Sequence, residues 1–139
     1  MISDDKARLD HAFIHQFLSE RSYWAEGVTR ELVDRSIAHS LCFGIYENGK
    51  QAGFARVVTD YATFAWLADV FIVETCRGRN LGKKLVAAIL AHPRLGGLRR
   101  FMLGTKDAHG LYAQFGFKPV ELPERFMEIR AASSYKCGC

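Results

Sequence analysis

The first forty residues place their hydrophobic positions at intervals typical of amphipathic helices. Apolar residues recur three and four positions apart after Asp10, whose carboxylate can accept from the free amides of a first helical turn. The spacing returns after Thr29, and Leu32, Val33 and Ile37 are expected to face inward. The intervening segment, SERSYWAEG, predicts a loop. The chain therefore opens with two predicted helices.

The period of the pattern then changes to that of β-strands. Residues 41–47 and 50–60 are predicted strands joined at Asn48-Gly49, a dipeptide that favours the type I′ turn of a hairpin. Residues 64–73 (FAWLADVFIV) are almost unbroken apolar, which is typical of a central strand covered on both faces.

The remainder of the chain alternates helices and strands. The predicted elements are a helix after residues 77–82 that ends near His92, a strand at 100–105, a short helix at 108–115, strands at 117–120 and 126–130, and a loose tail at 131–139. This order predicts one domain over residues 1–139. Its fold class is α/β (α+β), in three layers, with a mixed central sheet of about six to seven strands flanked by about four helices.

Composition and charge limit the class of protein. The chain has 139 residues, 49% hydrophobic and 24% charged, with no apolar run of the ~18 residues that a membrane span needs. Its charged N-terminus does not suit a signal peptide, so we expect a cytoplasmic protein that neither enters a membrane nor, lacking a binding motif, binds nucleic acid. The cysteines lack zinc-site spacing and no metal is expected; the role of Cys137 and Cys139 stays open.

The most informative stretch is residues 70–84, VFIVETCRGRNLGKK. A buried strand ends there, a turn with Gly78 and Gly82 follows, and a helix begins. The free amides and positive dipole end of a helix N-terminus attract anions, and glycine lets the backbone approach a phosphate closely. Positive charge surrounds the turn, from Arg77, Arg79, Lys83 and Lys84. A pyrophosphate group is the expected ligand.

Two common phosphate motifs do not fit this turn. A P-loop needs one more residue between its glycines and a hydroxyl after its lysine, and the dinucleotide pattern G-x-G-x-x-G is absent. RGRNLG instead resembles the acetyl-CoA motif [Q/R]-x-x-G-x-[G/A] of the GNAT superfamily of N-acetyltransferases. Asn80 stands where that family usually has glycine, and asparagine tolerates a positive φ.

A second segment supports the resemblance. Residues 105–117, TKDAHGLYAQFGF, are similar to the family pattern N-x-x-A-x-x-L-Y-x-x-x-G-F, which lies along the pantetheine arm. Thr105 replaces the asparagine, which in the family makes one hydrogen bond to the cofactor. The resemblance implies acetyl-CoA as cosubstrate, bound by Phe71, Ile72, Val73, Arg77, Gly78, Arg79, Asn80, Leu81, Gly82, Lys83, Thr105, Ala108 and Tyr112.

The resemblance also implies catalytic roles. Tyr112 matches the tyrosine that protonates the departing CoA thiolate after an amine attacks the thioester. Asp69 is a charged residue within a central apolar strand, where it could accept a proton from the incoming ammonium or pair with Arg56 on the preceding strand. His109 is an alternative base.

The acceptor is less well defined by the sequence. Tyr23, Trp24, Tyr61, Phe64 and Trp66 could form an aromatic acceptor pocket, with Arg56 as a further substrate contact. We expect acetylation of a small-molecule amine. The alternatives are a protein or peptide acetyltransferase and a CoA-binding module without catalysis. A homodimer is possible, but the sequence does not give the oligomeric state.

Overall fold

The computed structural model describes residues 1–131 and Tyr135. Four helices and five strands lie in these residues: β1 (Ile2–Ser3), α1 (His11–Arg21), α2 (Arg30–Ala38), β2 (Leu41–Glu47), β3 (Lys50–Thr59), β4 (Phe64–Ile72), α3 (Leu81–Leu90), β5 (Arg100–Leu103) and α4 (His109–Ala113). Most of the predicted tail, including Cys137 and Cys139, falls outside the described residues.

The helix starts and the hairpin follow local chemistry. The side chains of Asp10 and Thr29 accept hydrogen bonds from the amides of Phe13 and Leu32, so both predicted caps are confirmed. Asn48 and Gly49 both have positive φ, as a type I′ turn requires.

The five strands form one mixed sheet in sequence order. β1 to β4 are antiparallel neighbours, and β5 lies parallel to β4 after the crossover through α3. The N-terminal helices α1 and α2 cover one face around Phe54, and α3 and α4 cover the other around Val57. The predicted three-layer fold is confirmed.

Several predicted details are wrong. α1 extends through Arg21 into the predicted loop, and Leu32, expected to face inward, is exposed at the wall of a surface cavity. The strands predicted at 117–120 and 126–130 are not formed, and the short β1 was not predicted; the sheet therefore has five strands instead of six or seven. None of the helices in the described part of the chain has the length and apolar character needed to span a bilayer.

Candidate active site

The turn at residues 77–82 leads directly into α3 and leaves its first amides free. Gly78 has φ +85° and Asn80 has φ +60°, so asparagine does adopt the left-handed conformation that the motif needs. The Asn80 side chain makes no capping hydrogen bond. A Cβ at Gly78 would meet nothing within 4 Å, and a Cβ at Gly82 would meet only Leu111 at 3.8 Å. The space above the turn is therefore open to a ligand.

The charged residues of the turn do not all face that space. Arg77 and Lys83 line a cavity of about 570 Å³ beside the turn, which we call the loop cavity. Arg79 does not line it, because its guanidinium binds both carboxylate oxygens of Glu47 on β2, at 2.6 and 3.0 Å. The Arg79 guanidinium is therefore held away from the loop cavity.

The end of β4 forms the other side of the loop cavity. Pairing with β5 stops at Leu67, so the rest of β4 has a strand partner only on the β3 side. The Val73 amide donates to the Ala52 carbonyl of β3 at 2.9 Å. Because backbone groups alternate along a strand, the N–H groups of Val70 and Ile72 face away from β3, toward the cavity. Val73, predicted to contact the cofactor, faces β3 instead.

A β-bulge separates this free edge from the paired part of β4. Arg56 pairs with Ala68 and Phe54 with Phe71, so Asp69 and Val70 together oppose one residue of β3. Asp69 has φ +55°, a conformation that bulges use to turn a side chain out of the regular alternation. The bulge thus places the Asp69 carboxylate at the site.

Two smaller spaces continue from the loop cavity. The junction cavity, of about 240 Å³, is lined by Tyr112, Thr105 and Asp69, among others. The tryptophan cavity, of about 550 Å³, is lined by Asp69, Arg56 and Ala68 and also by Tyr135. Trp24 lines all three spaces. Tyr112 therefore stands between the loop and junction cavities, and Asp69 between the junction and tryptophan cavities.

The side chain of Tyr112 is held in place by packing and not by hydrogen bonds. It is 8% exposed, and its ring meets Phe117 edge to face at 5.9 Å. Within the described part of the chain, no hydrogen bond involves its hydroxyl. Burial raises the pKa of the Tyr112 phenol to about 12, because the phenolate loses hydration there. The hydroxyl is thus neutral near pH 7 and available as a donor.

Asp69 forms the ion pair that was one of its two predicted roles. Arg56 Nε donates to one carboxylate oxygen at 2.8 Å, and the Trp24 indole N–H donates to the other at 2.9 Å. The side chains of Arg56 and Asp69 are 19% and 11% exposed, so the pair is mostly shielded from water. The arrangement fixes an anionic group where the junction and tryptophan cavities meet.

Only part of the predicted aromatic pocket assembles. Tyr23 and Trp24 pack edge to face at 5.1 Å, and Trp66 joins them around the junction cavity. Tyr61 is covered by the Arg94 guanidinium at 3.7 Å and Phe64 borders a separate depression, so neither lines these spaces.

Other predicted site residues are distributed as follows. Phe71, Asn80, Leu81 and Ala108 line the loop cavity, whereas His109 does not line the junction cavity. The Thr105 hydroxyl accepts from the Ala108 amide at 3.0 Å, so it supports the start of α4.

Two residues of the loop cavity, Val70 and Leu111, were not predicted from the sequence. The bulge that exposes the Val70 amide contains no glycine that would have indicated it.

Comparison with known proteins identifies the family. A sequence model of the acetyltransferase (GNAT) family matches residues 35–117, more than half of the chain. The chain belongs to the GNAT acetyltransferase family. A GNAT-family protein of Xanthomonas campestris pv. campestris is 50% identical, with a TM-score of 0.94 over 97% of this chain and 95% of that one.

More distant similarities include one acetyltransferase sequence and one acetyltransferase structure. A protein of Gibberella zeae assigned as an acetyltransferase is 28% identical, over 82% of this chain and 76% of its own. A Clostridium acetobutylicum acetyltransferase structure containing acetyl-CoA is 13% identical, with a TM-score of 0.64 over 94% of this chain and 96% of that one. The latter likeness concerns the fold alone.

GNAT proteins use acetyl-CoA, and the residues of the loop cavity fit that group. The free amides at the start of α3, with Arg77 and Lys83 beside them, suit a pyrophosphate. The unpaired edge of β4 offers Val70 and Ile72 amides to an extended amide-containing arm. The described residues hold no cluster of three or more His, Cys, Asp or Glu side chains placed to share a metal ion.

Proposed function

We propose that this protein is an acetyl-CoA-dependent N-acetyltransferase that acetylates the amine of a small molecule by direct attack, with Tyr112 as general acid. The observation that carries the proposal is the position of Tyr112. Its unbonded hydroxyl lies between the loop cavity, which suits CoA, and the cavities that remain for an acceptor. An intact phenol at that point favours an enzyme over a CoA-binding module.

The chemistry assigns a separate task to each end of the site. Acetyl-CoA supplies a thioester whose carbonyl carbon is the electrophile. The amine nitrogen forms the new C–N bond and the C–S bond breaks. The free β4 amides can donate to the carbonyl oxygen as it gains negative charge. The Tyr112 hydroxyl gives its proton to the departing sulfur, and the proton that the nitrogen loses as it becomes an amide restores the phenol.

The raised pKa of Tyr112 has two consequences. The phenol stays protonated throughout the neutral range, so it is always available as a donor. A pKa of about 12 is also higher than that of a thiol, near ~8.5, so transfer of the proton to the sulfur is uphill by itself and depends on its replacement from the amine nitrogen, which loses a proton as the amide forms.

The acceptor end favours a cationic small molecule. Trp24 and Trp66 provide aromatic surface, and Asp69 provides a fixed negative charge between them and Tyr112. An ammonium group held there would lose a proton before it attacks, to Asp69 directly or through water. A cavity of about 550 Å³ accommodates a metabolite-sized amine better than a folded protein surface.

The direct test measures binding and product separately. Calorimetry should show acetyl-CoA binding without added metal, weakened by salt because the ligand is multiply anionic. Mass spectrometry should show an N-acetyl product from at least one member of a panel of primary amines. Absence of binding would refute the cofactor assignment. Binding without product from small amines or peptides would instead indicate a CoA-binding module.

A further inference from the structure

The wall of the tryptophan cavity contains a guanidinium whose hydrogen-bonding capacity is only partly used. Arg56 Nε donates to Asp69 at 2.8 Å, and Nη1 donates to the Ser40 hydroxyl at 3.2 Å. A guanidinium has five N–H groups, and the Nη2 group of Arg56 has no hydrogen-bond partner within the described part of the chain. Two contacts therefore fix the guanidinium and leave one end of it unpaired.

The unpaired end of Arg56 opens onto the cavity. Among residues 1–131 and Tyr135, no fully buried side-chain nitrogen or oxygen atom lacks a partner, so Nη2 must reach accessible space. The tryptophan cavity is the space that Arg56 lines. Because the side chain is only 19% exposed, an oxyanion that meets Nη2 there is largely shielded from water, which strengthens a charge-assisted hydrogen bond.

The fixed charges of the cavity form one pair of opposite sign. The charged side chains that line it in the described part of the chain are Arg35, Arg56 and Asp69, and His39 is also titratable. The Arg35 guanidinium is bound at 2.6 Å to Glu31, which does not line the cavity. Arg56 and Asp69 are therefore the shielded charges that a ligand meets, and they lie side by side. A ligand of complementary charge has an ammonium and an acid group side by side.

We infer that the acceptor is a free amino acid or a close analogue, an amine that carries an acid group a few bonds from its nitrogen. The inference rests on the proposed function, because it names the acceptor of the same site. Asp69 and the tryptophan rings hold the ammonium end, and Arg56 Nη2 donates to the acid group. The nitrogen receives the acetyl group, whereas the acid group orients the ligand and takes no part in bond making.

The direct contact of Arg56 with Asp69 sets the spacing within the ligand. Groups held by two touching side chains must themselves be close, as the amine and carboxylate of an amino acid are. A plain amine would leave the Nη2 group of Arg56 without a partner. The N-terminus of a peptide would offer a neutral carbonyl oxygen there, which is a weaker acceptor than a carboxylate.

The remaining wall of the cavity suits an apolar side chain on that acceptor. It includes Leu18, Val28, Val33 and Trp66, and the space has a volume of about 550 Å³. Such a surface favours an aliphatic or aromatic group over a second charged group. The expected acceptors are therefore amino acids with apolar side chains.

Matched substrates test the inference on the wild-type protein. Phenylalanine, phenylalaninamide and phenethylamine share one side chain and carry a carboxylate, a neutral carboxamide and neither group. With acetyl-CoA, kcat/KM should be at least about tenfold higher for phenylalanine than for the other two, as expected for a hydrogen bond to a charged group. Leucine, leucinamide and isopentylamine should follow the same order.

Two results with these substrates would overturn the inference. Equal or higher kcat/KM for the plain amines would show that no acid group is recognised. Equal or higher kcat/KM for the amides would show that a neutral carbonyl is sufficient, and would indicate a peptide N-terminus as acceptor.

A substitution then tests the contact itself. Arg56→Lys keeps a positive charge beside Asp69 but loses the planar group that donates to both Asp69 and the ligand. The preference for phenylalanine over phenethylamine should be lost. Arg30→Lys is the matched control, because Arg30 Nε also binds an aspartate, Asp34, at 3.0 Å but does not line the cavity. It should keep the preference, and an unchanged preference in folded Arg56→Lys would overturn the inference.

Failure of this inference can be distinguished from failure of the proposed function. Acetylation of the plain amines as efficiently as of the amino acids leaves the enzyme assignment intact and removes only the acid-group contact. If no compound of either series is acetylated, the acetylation of small amines fails, and calorimetry with CoA-loaded protein decides the inference. Phenylalanine or leucine should then bind at least about tenfold more tightly than the matching amine, and equal or absent binding would overturn the inference.

Discussion

The two ends of the site are built in different ways. The loop cavity lies beside a turn of consecutive residues, 77–82, with free amides at the start of α3 and positive φ at Gly78 and Asn80. The acceptor end brings Trp24 from after α1, Arg56 from β3, and Trp66 and Asp69 from β4. One end depends on backbone geometry, and the other on side chains that meet only after folding.

This difference determines how each end of the site should respond to substitution. A backbone site tolerates side-chain replacement where conformation is kept, as Asn80 does in place of glycine. A side-chain site depends on each group and its partners, as the Arg56–Asp69–Trp24 contacts illustrate. Substitutions at the first end should therefore act through shape, and at the second end through charge and hydrogen bonding.

The largest effect should follow from filling the backbone site. Gly82→Val places a branched side chain in the open space above the turn, so CoA affinity should fall by roughly 100-fold or more, about 2.7 kcal/mol, in calorimetry. Gly96→Val is the matched control, because Gly96 has φ −76° and its Cβ would meet only Pro93 at 3.9 Å. Normal CoA binding by Gly82→Val would show that the phosphates are held elsewhere.

A smaller effect is expected from removing the charge at the acceptor end. Asp69→Asn keeps the shape of the side chain but removes its negative charge. We expect kcat/KM for the amine to fall about tenfold, mostly at low pH, because there the amine is an ammonium that must lose a proton to a base before it attacks. CoA affinity should not change. Asp34→Asn removes a carboxylate that pairs with Arg30 on α2 and should leave both values unchanged. An unaltered pH–rate profile in folded Asp69→Asn would limit Asp69 to a structural role.

The hydrogen bond from Trp24 should contribute less than the charge it orients. Trp24→Phe keeps an aromatic ring but removes the donor to Asp69, so KM for the amine should rise about threefold, as expected for one such bond. Trp66→Phe is the control, because it also replaces an indole by a smaller ring but removes no hydrogen bond to Asp69. Equal increases of KM in Trp24→Phe and Trp66→Phe would mean that the amine is bound by aromatic surface and not by the hydrogen bond to Asp69.

The smallest effect is expected when Asn80 is replaced by glycine. Asn80→Gly keeps access to the left-handed conformation, so CoA affinity should change less than about twofold. Asn80→Val should weaken binding more, because a branched residue at φ +60° is strained by about 1–2 kcal/mol. If both variants bind CoA alike, the conformation of the turn does not determine affinity.

The same contrast between nearby and distant residues explains which parts of the fold and the site can be predicted from the sequence. Caps, the Asn48-Gly49 turn and the 77–82 loop depend on nearby residues, and they form as expected. The contacts of Arg79 and Val73 could not be predicted, because their partners, Glu47 and Ala52, lie far away in sequence. The strand predicted at 126–130 has the right pattern but no partner within the described chain.

Tyr112→Phe tests most directly whether the two ends meet at a general acid. The change removes one oxygen that bonds to nothing within the described chain, so folding and CoA affinity should persist. Turnover should fall roughly 100-fold, and by less with acyl donors whose thiols are more acidic, since such leaving groups need less protonation. Tyr61→Phe, outside the cavities, should be fully active. Full activity of Tyr112→Phe with acetyl-CoA would contradict the mechanism, and equal loss with every donor would indicate positioning instead of proton transfer.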